Sequence, residues 1–198
     1  MKKSIFIYIT IAVIAALIAL FSTNITAPND ADTQYFCDYH NISFDMNIDV
    51  QDMGGKSLYT INGEFFASYE DDLAMTTKSG QLVKHTNDVY NFITQNEHVI
   101  YDAENNLCYK CDGKIKLFAD SYDVFDADGN KIAFVSFNMF DTSGVMKNMD
   151  GDIIARYDSA LSRKDYIVSI YDNCQIDDES ILLIFASYVS DKRADDSN

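Results

Sequence analysis

The chain has 198 residues, 47% of them hydrophobic, and carries 15 basic against 31 acidic side chains, a net charge of −16. The apolar content excludes a wholly disordered chain, and the length suits one domain plus a tail. So acidic a surface repels phosphate polymers and anionic headgroups, which argues against nucleic acid as a partner and against simple electrostatic docking on acidic lipids.

Lys2 and Lys3 are followed by an apolar run from Ile5 to Phe21. At ~1.5 Å per residue a helix over this run reaches roughly 26 Å, near the thickness of a bilayer's hydrocarbon core. The sequence therefore predicts an N-terminal transmembrane helix over residues 1–22, an anchor through which the membrane is a partner. The alternative is a signal peptide cleaved after Ala27, for which Ile25-Thr26-Ala27 is a poor site. Positive charge before the run, with Asp30 and Asp32 after it, places the body outside the cytoplasm as a single-pass protein. Residues 23–35, with the only proline at Pro28, read as a linker, residues 36–192 as the domain and residues 193–198 as an acidic tail. Asn24-Ile25-Thr26 and Asn41-Ile42-Ser43 are glycosylation sequons wherever that machinery exists.

From Ile42 to Val50 apolar and polar residues alternate strictly, the period of a half-buried strand. A turn at Gly54-Gly55 leads to a second strand from Leu58 to Phe66. Short strands then recur between turn residues: Lys78-Ser79-Gly80, Asn105-Asn106, Asp112-Gly113, Asp128-Gly129-Asn130, Asp150-Gly151 and Asp172-Asn173. Thirteen Tyr and thirteen Phe fit such β structure. A weak internal repeat runs through it, with Tyr101-Asp102-Ala103-Glu104-Asn105-Asn106 echoed by Phe125-Asp126-Ala127-Asp128-Gly129-Asn130, and more loosely near Gly151 and Asn173. Roughly a dozen strands result, which must split into two sheets or close into a barrel.

Candidate chemistry is sparse. Cys108-Tyr109-Lys110-Cys111 has the spacing of a redox motif or half a zinc site, but on a strand its two thiols point to opposite faces, and no second ligand pair accompanies it. The four cysteines read as buried small residues, or as one or two disulfides in an exported domain, where Cys37 with Cys174 would tie the two ends together. Asp126-Ala127-Asp128-Gly129-Asn130 resembles a calcium loop, yet its glycine is misplaced and the closing glutamate is missing, so a tight turn explains it. His40, His85 and His98 sit beside polar residues without a nucleophile motif and read as surface side chains. No catalytic, cofactor-binding or metal-ligating residue is assigned, no cofactor is expected, and the chain reads as a non-enzyme.

Near the C-terminus, Ile181 to Val189 is apolar at nearly every position, so as a helix it has no solvent face and must be enclosed. Asp177 suits an N-cap, Asp178 and Glu179 the first turn, Lys192 and Arg193 the end, and Ile176 with Ile181 a hydrophobic staple. Ile181, Leu182, Leu183, Ile184, Phe185, Tyr188 and Val189 form the predicted core helix. Nine residues reach only ~14 Å, about half a bilayer core, so this helix belongs inside the domain. A barrel threaded by it removes the sheet edges and fills the lumen at once. A buried strand in a β-sandwich is the alternative.

His98-Val99-Ile100-Tyr101-Asp102, Tyr122 to Ile132, Asp150-Gly151-Asp152-Ile153-Ile154-Ala155 and the helix from Asp178 to Val189 carry a resemblance. Between about Tyr59 and Lys192 the chain resembles the tubby C-terminal-like group, in its LURP-one-related and phospholipid-scramblase-like branch. The resemblance implies a closed antiparallel barrel of twelve strands around a central hydrophobic C-terminal helix. It also implies a repertoire of phosphoinositide binding and lipid scrambling, although the basic side chains that serve headgroup binding are few and scattered in this chain. The functional expectation is a membrane-tethered, non-enzymatic binding domain with a lipid or protein ligand. The alternatives are a phospholipid-binding or scramblase-like lipid-handling protein and an exported adhesin-like or structural β-sandwich.

Overall fold

In the computed structural model, residues 28, 30–42, 45–64, 72–89, 97–114, 121–138, 141–160 and 165–196 are described. The predicted anchor lies outside these residues; among the described ones, no helix is long and apolar enough to cross a membrane. The strands are β1 (Thr33–Ile42), β2 (Asp45–Asp52), β3 (Ser57–Glu64), β4 (Leu73–Thr77), β5 (Leu82–Val89), β6 (Glu97–Asp102), β7 (Leu107–Lys114), β8 (Ser121–Asp126), β9 (Lys131–Phe137), β10 (Ser143–Asn148), β11 (Ile153–Ser159) and β12 (Tyr166–Ile170), followed by the helix α1 (Asp178–Asp196). Each strand pairs antiparallel with its sequence neighbours, and β1 closes the barrel on β12, with Thr33 opposite Ile170 and Cys37 opposite Tyr166. The sandwich alternative is thereby corrected. A sheet that closes has no edges to cover, and its lumen takes the segment from Ile181 as a helix.

The alternating run expected as one strand is two. Ile42 pairs with Asp45, so the chain reverses between them, and a period of two cannot distinguish that from continuing straight on. Ordered elements also reach beyond the predicted domain limits, to Thr33 at one end and Asp196 at the other.

Five hairpins share one turn, which makes one rim of the barrel uniform. The backbone N–H of Asp52, Thr77, Asp102, Asp126 and Asn148 donates to the carbonyl four residues on, at 2.8–3.0 Å. Three residues on, Gly55, Gly80, Asn105, Gly129 and Gly151 take positive φ, a conformation in which glycine carries no steric penalty. The first residue's side chain then accepts the amide of the fifth, as in Lys56 N to Asp52 Oδ1 at 3.0 Å and Asn130 N to Asp126 Oδ1 at 2.8 Å. Just past each turn the register shifts, leaving Leu58, Val83, Cys108, Ile132 and Ile154 as the extra residue of a bulge. Repeated bulges strengthen local twist, which a closing sheet requires.

The core lies between wall and helix. Ile48, Val50, Ile61, Met75, Ile100, Val124, Val135, Met146 and Val168 face inward, fully buried. Against them lie the seven predicted core-helix residues, Ile181, Leu182, Leu183, Ile184, Phe185, Tyr188 and Val189, each no more than 6% exposed. Gly144 sits opposite Phe137, and a Cβ there would come within 2.7 Å of the Phe137 ring. The missing side chain makes room for Phe137 to stack on Tyr188 and meet Phe185 edge-on. Barrel closure, core and helix cap all lie between Pro28 and Asp196, so this segment is a self-contained folding unit. Phe185→Ala in residues 28–198 is expected to cost ~3–5 kcal/mol in urea unfolding, the range for emptying a buried aromatic site. A loss below about 1 kcal/mol would contradict the helix as core.

Candidate functional site

The helix is fastened to the wall at both rims. At the uniform rim, Asp177 caps it, its Oδ1 accepting Ser180 N at 3.0 Å and its carbonyl accepting Ile181 N at 3.1 Å. Ile176 and Ile181, the expected staple, are both buried. Tyr35 Oη on β1 donates to Asp178 Oδ2 at 2.6 Å, Tyr59 Oη on β3 to Glu179 Oε1 at 2.7 Å, and Lys84 Nζ on β5 lies 3.4 Å from Asp177 Oδ1. Three carboxylates at a helix N-terminus also complement its dipole. Burial and the Glu179 hydrogen bond push the Tyr59 hydroxyl up to about 12; burial and the nearby Asp177 carboxylate do the same for Tyr109.

At the opposite rim, Asp191 Oδ2 lies 2.9 Å from His98 Nε2 on β6 and accepts Tyr122 Oη from β8 at 2.9 Å, while Tyr188 Oη donates to Asp141. His98 is 2% exposed, which corrects its reading as a surface side chain. Its position opposite Cys111 on β7 turns it into the lumen, where Asp191 satisfies it. His40 is exposed, and His85 stacks on Tyr101.

All four cysteines are free thiols. The Cys37–Cys174 pairing is not formed, because Cys37 faces Tyr166 in mid-strand whereas Cys174 follows the end of β12. The four residues from Cys37 to Thr33, which faces Ile170, alone span ~13 Å, beyond disulfide reach. Burial pushes the Cys37 thiol up. Cys111 is buried, while Cys108, displaced by its bulge, packs against the core and lies 3.5 Å from Lys84 Nζ. The Asp126 loop is a tight turn: its carboxylate accepts Asp128 N, Asn130 N and Asn130 Nδ2 at 2.8–3.0 Å. Those bonds, led by Asn130, hold its pKa below the usual range.

A cleft of about 180 Å³ opens at the uniform rim beside the start of α1. Ile132 and Ile154, two of the bulge residues, and Ile176 floor it, the last two 2% and 3% exposed. Met149, Asp150, Asn173 and Gln175 stand around the mouth. The cation among the lining residues, Lys131, is turned to Asp123, at 2.7 Å from Oδ1, where Lys114 meets the other oxygen. Burial raises the Asp123 pKa, but the hydrogen bonds from the two lysines outweigh it and hold the carboxylate ionised. Met53, Leu82, Leu107 and Met149 are the large apolar residues left exposed among those described, and all lie in or next to the turns of this rim. Sequence reasoning missed the cleft, since three separate segments build it.

The raised tyrosines give a pH prediction. A hydroxyl whose pKa rises from 10.0 unfolded to about 12 folded stabilises the protein fully below pH 10, and the contribution is lost as pH rises towards 12. Spectrophotometric titration should find Tyr59, Tyr109 and Tyr157 protonated past pH 11, with stability falling over that window; Tyr59→Phe should remove part of the dependence. No family model and no curated protein matches the chain. Among solved structures, a LURP-one-like protein from Arabidopsis thaliana, known by X-ray crystallography, aligns with a TM-score of 0.56 at 14% identity, over 83% of this chain and 94% of that one. At that identity the likeness shows the fold alone, and it fits a tubby-like barrel.

Proposed function

We propose that this chain is a non-enzymatic recognition domain of the LURP-one/tubby-like kind, tethered to a membrane by its N-terminal apolar run and displayed outside the cytoplasm. The observation that carries the reading is the isoleucine-floored cleft at the uniform rim, with the exposed Met149 at its mouth. Soluble domains normally bury such surface, and where it stays open beside polar groups it marks a contact site. The non-enzymatic reading is supported by His98, the buried histidine, which directs Nε2 to Asp191 within the lumen rather than towards a substrate. Lys2 and Lys3 ahead of Ile5 to Phe21 support the tether. Pro28, whose carbonyl accepts Gln34 Nε2, leads into β1 at the uniform rim, so an anchor would hold that rim towards the bilayer.

The acidic rim supports a ligand other than an anionic headgroup, since carboxylates and phosphates repel. Co-sedimentation with neutral and anionic vesicles, at low and high salt and with or without calcium, tests this. Residues 28–198 are expected to stay in the supernatant throughout, while the full chain pellets with the vesicles. Pelleting of residues 28–198 that survives high salt would replace recognition by lipid handling, because insertion is not screened.

A further inference from the structure

Resting on the reading of the uniform rim as a recognition face, we propose that its cleft takes an extended basic segment of a protein partner, which inserts one aliphatic side chain between Ile132, Ile154 and Ile176. Size supports a single side chain. At about 180 Å³ the cleft is smaller than the ~300–1,000 Å³ of small-molecule sites, yet deep enough to reach buried isoleucines. Its mouth suits a peptide backbone. The Asn173 and Gln175 side chains stand exposed at the mouth, and a carboxamide offers the donor and acceptor that a peptide unit needs. Met149, 58% exposed, is an unbranched side chain able to fold over whatever enters.

Charge selects the class of partner. Asp150 lines the cleft, and Asp128, Asp152 and Asp172 stand exposed on the same turns or next to its lining residues. Lys131 and Lys114 share the Asp123 carboxylate, so this cluster adds one net positive charge against the four carboxylates of Asp128, Asp150, Asp152 and Asp172, and the mouth stays negative. Such a field attracts Lys and Arg and turns away phosphate, which favours a cationic segment over a phosphorylated ligand or an anionic membrane.

Fluorescence anisotropy on residues 28–198 at physiological salt tests this with three labelled peptides: alternating Lys and Leu, alternating Lys and Ser, and alternating Glu and Leu. The Lys–Leu peptide is expected to bind. Met149→Asn should weaken it by roughly tenfold, as for a contact at the centre of an interface, and Asn173→Ala with Gln175→Ala several-fold. Met53→Asn, an exposed methionine on another turn of the same rim, should change nothing. Equal binding of the Lys–Leu and Lys–Ser peptides, or equal effects of the two methionine variants, would overturn the cleft as the site. Binding of the Glu–Leu peptide that depends on Met149 would overturn the basic partner while leaving the recognition face intact. If no peptide binds, the proposal falls; if anionic vesicles then pellet residues 28–198, the recognition reading falls with it.

Discussion

A helix that is apolar on every side cannot stand in water, and a closed barrel of twelve strands cannot stand with its lumen empty. Each of these elements removes the other's difficulty. Ile181 to Val189 lose their water to the inward residues of the strands, and residues such as Ile48, Met75, Val135 and Val168 gain a packing partner they could not find across the lumen. The details of the wall follow from this. Gly144 is small so that Phe137 can lie flat between strand and helix, and the repeated bulges supply the curvature that brings β12 back to β1.

Polar contacts decide where along the lumen the helix sits. Hydrophobic burial is non-directional and would tolerate sliding by a turn, whereas the hydrogen bonds from Tyr35, Tyr59, His98 and Tyr122 to Asp178, Glu179 and Asp191 exist in one register only. Each bond contributes modestly, but these carboxylates are half-buried and water replaces a lost partner only in part, so a shifted register is penalised at both ends. With the lumen filled and both rims fastened, the cleft described among these residues lies between turns of the uniform rim. Its floor is continuous with the core, since Ile154 and Ile176 belong to the buried cluster and Ile132 packs against it.

The helix and the five hairpins of the uniform rim were legible because their signals are local, whereas Asp112-Gly113, expected as a turn, lies within β7 opposite Asp123 and Tyr122. Asp177 lies next to the segment it caps, and Asp102 and Asp126 lie within five residues of the amides they bind. Register was not. Leu58, Val83 and Cys108 look like ordinary strand residues, and only their pairing partners reveal the bulges. His98 was misread for the same reason, because the carboxylate that makes it a core residue is 93 positions away. Lys78-Ser79-Gly80 reads as a turn, but its kinship with the Asp126 turn is hidden by the preceding Thr77, whose hydroxyl replaces the carboxylate. The cleft draws on residues near 131, 150 and 175, and no window on the sequence contains all three.

Native-state hydrogen exchange tests the mutual dependence of helix and barrel most directly. If the two exist only together, amides from Leu182 to Ala186 exchange solely through global unfolding, with the same free energy and denaturant dependence as the slowest amides of β2 and β9. Helix amides that exchange orders of magnitude faster than those strands, with little denaturant dependence, would mean that the helix leaves an intact barrel and that neither element needs the other to stand.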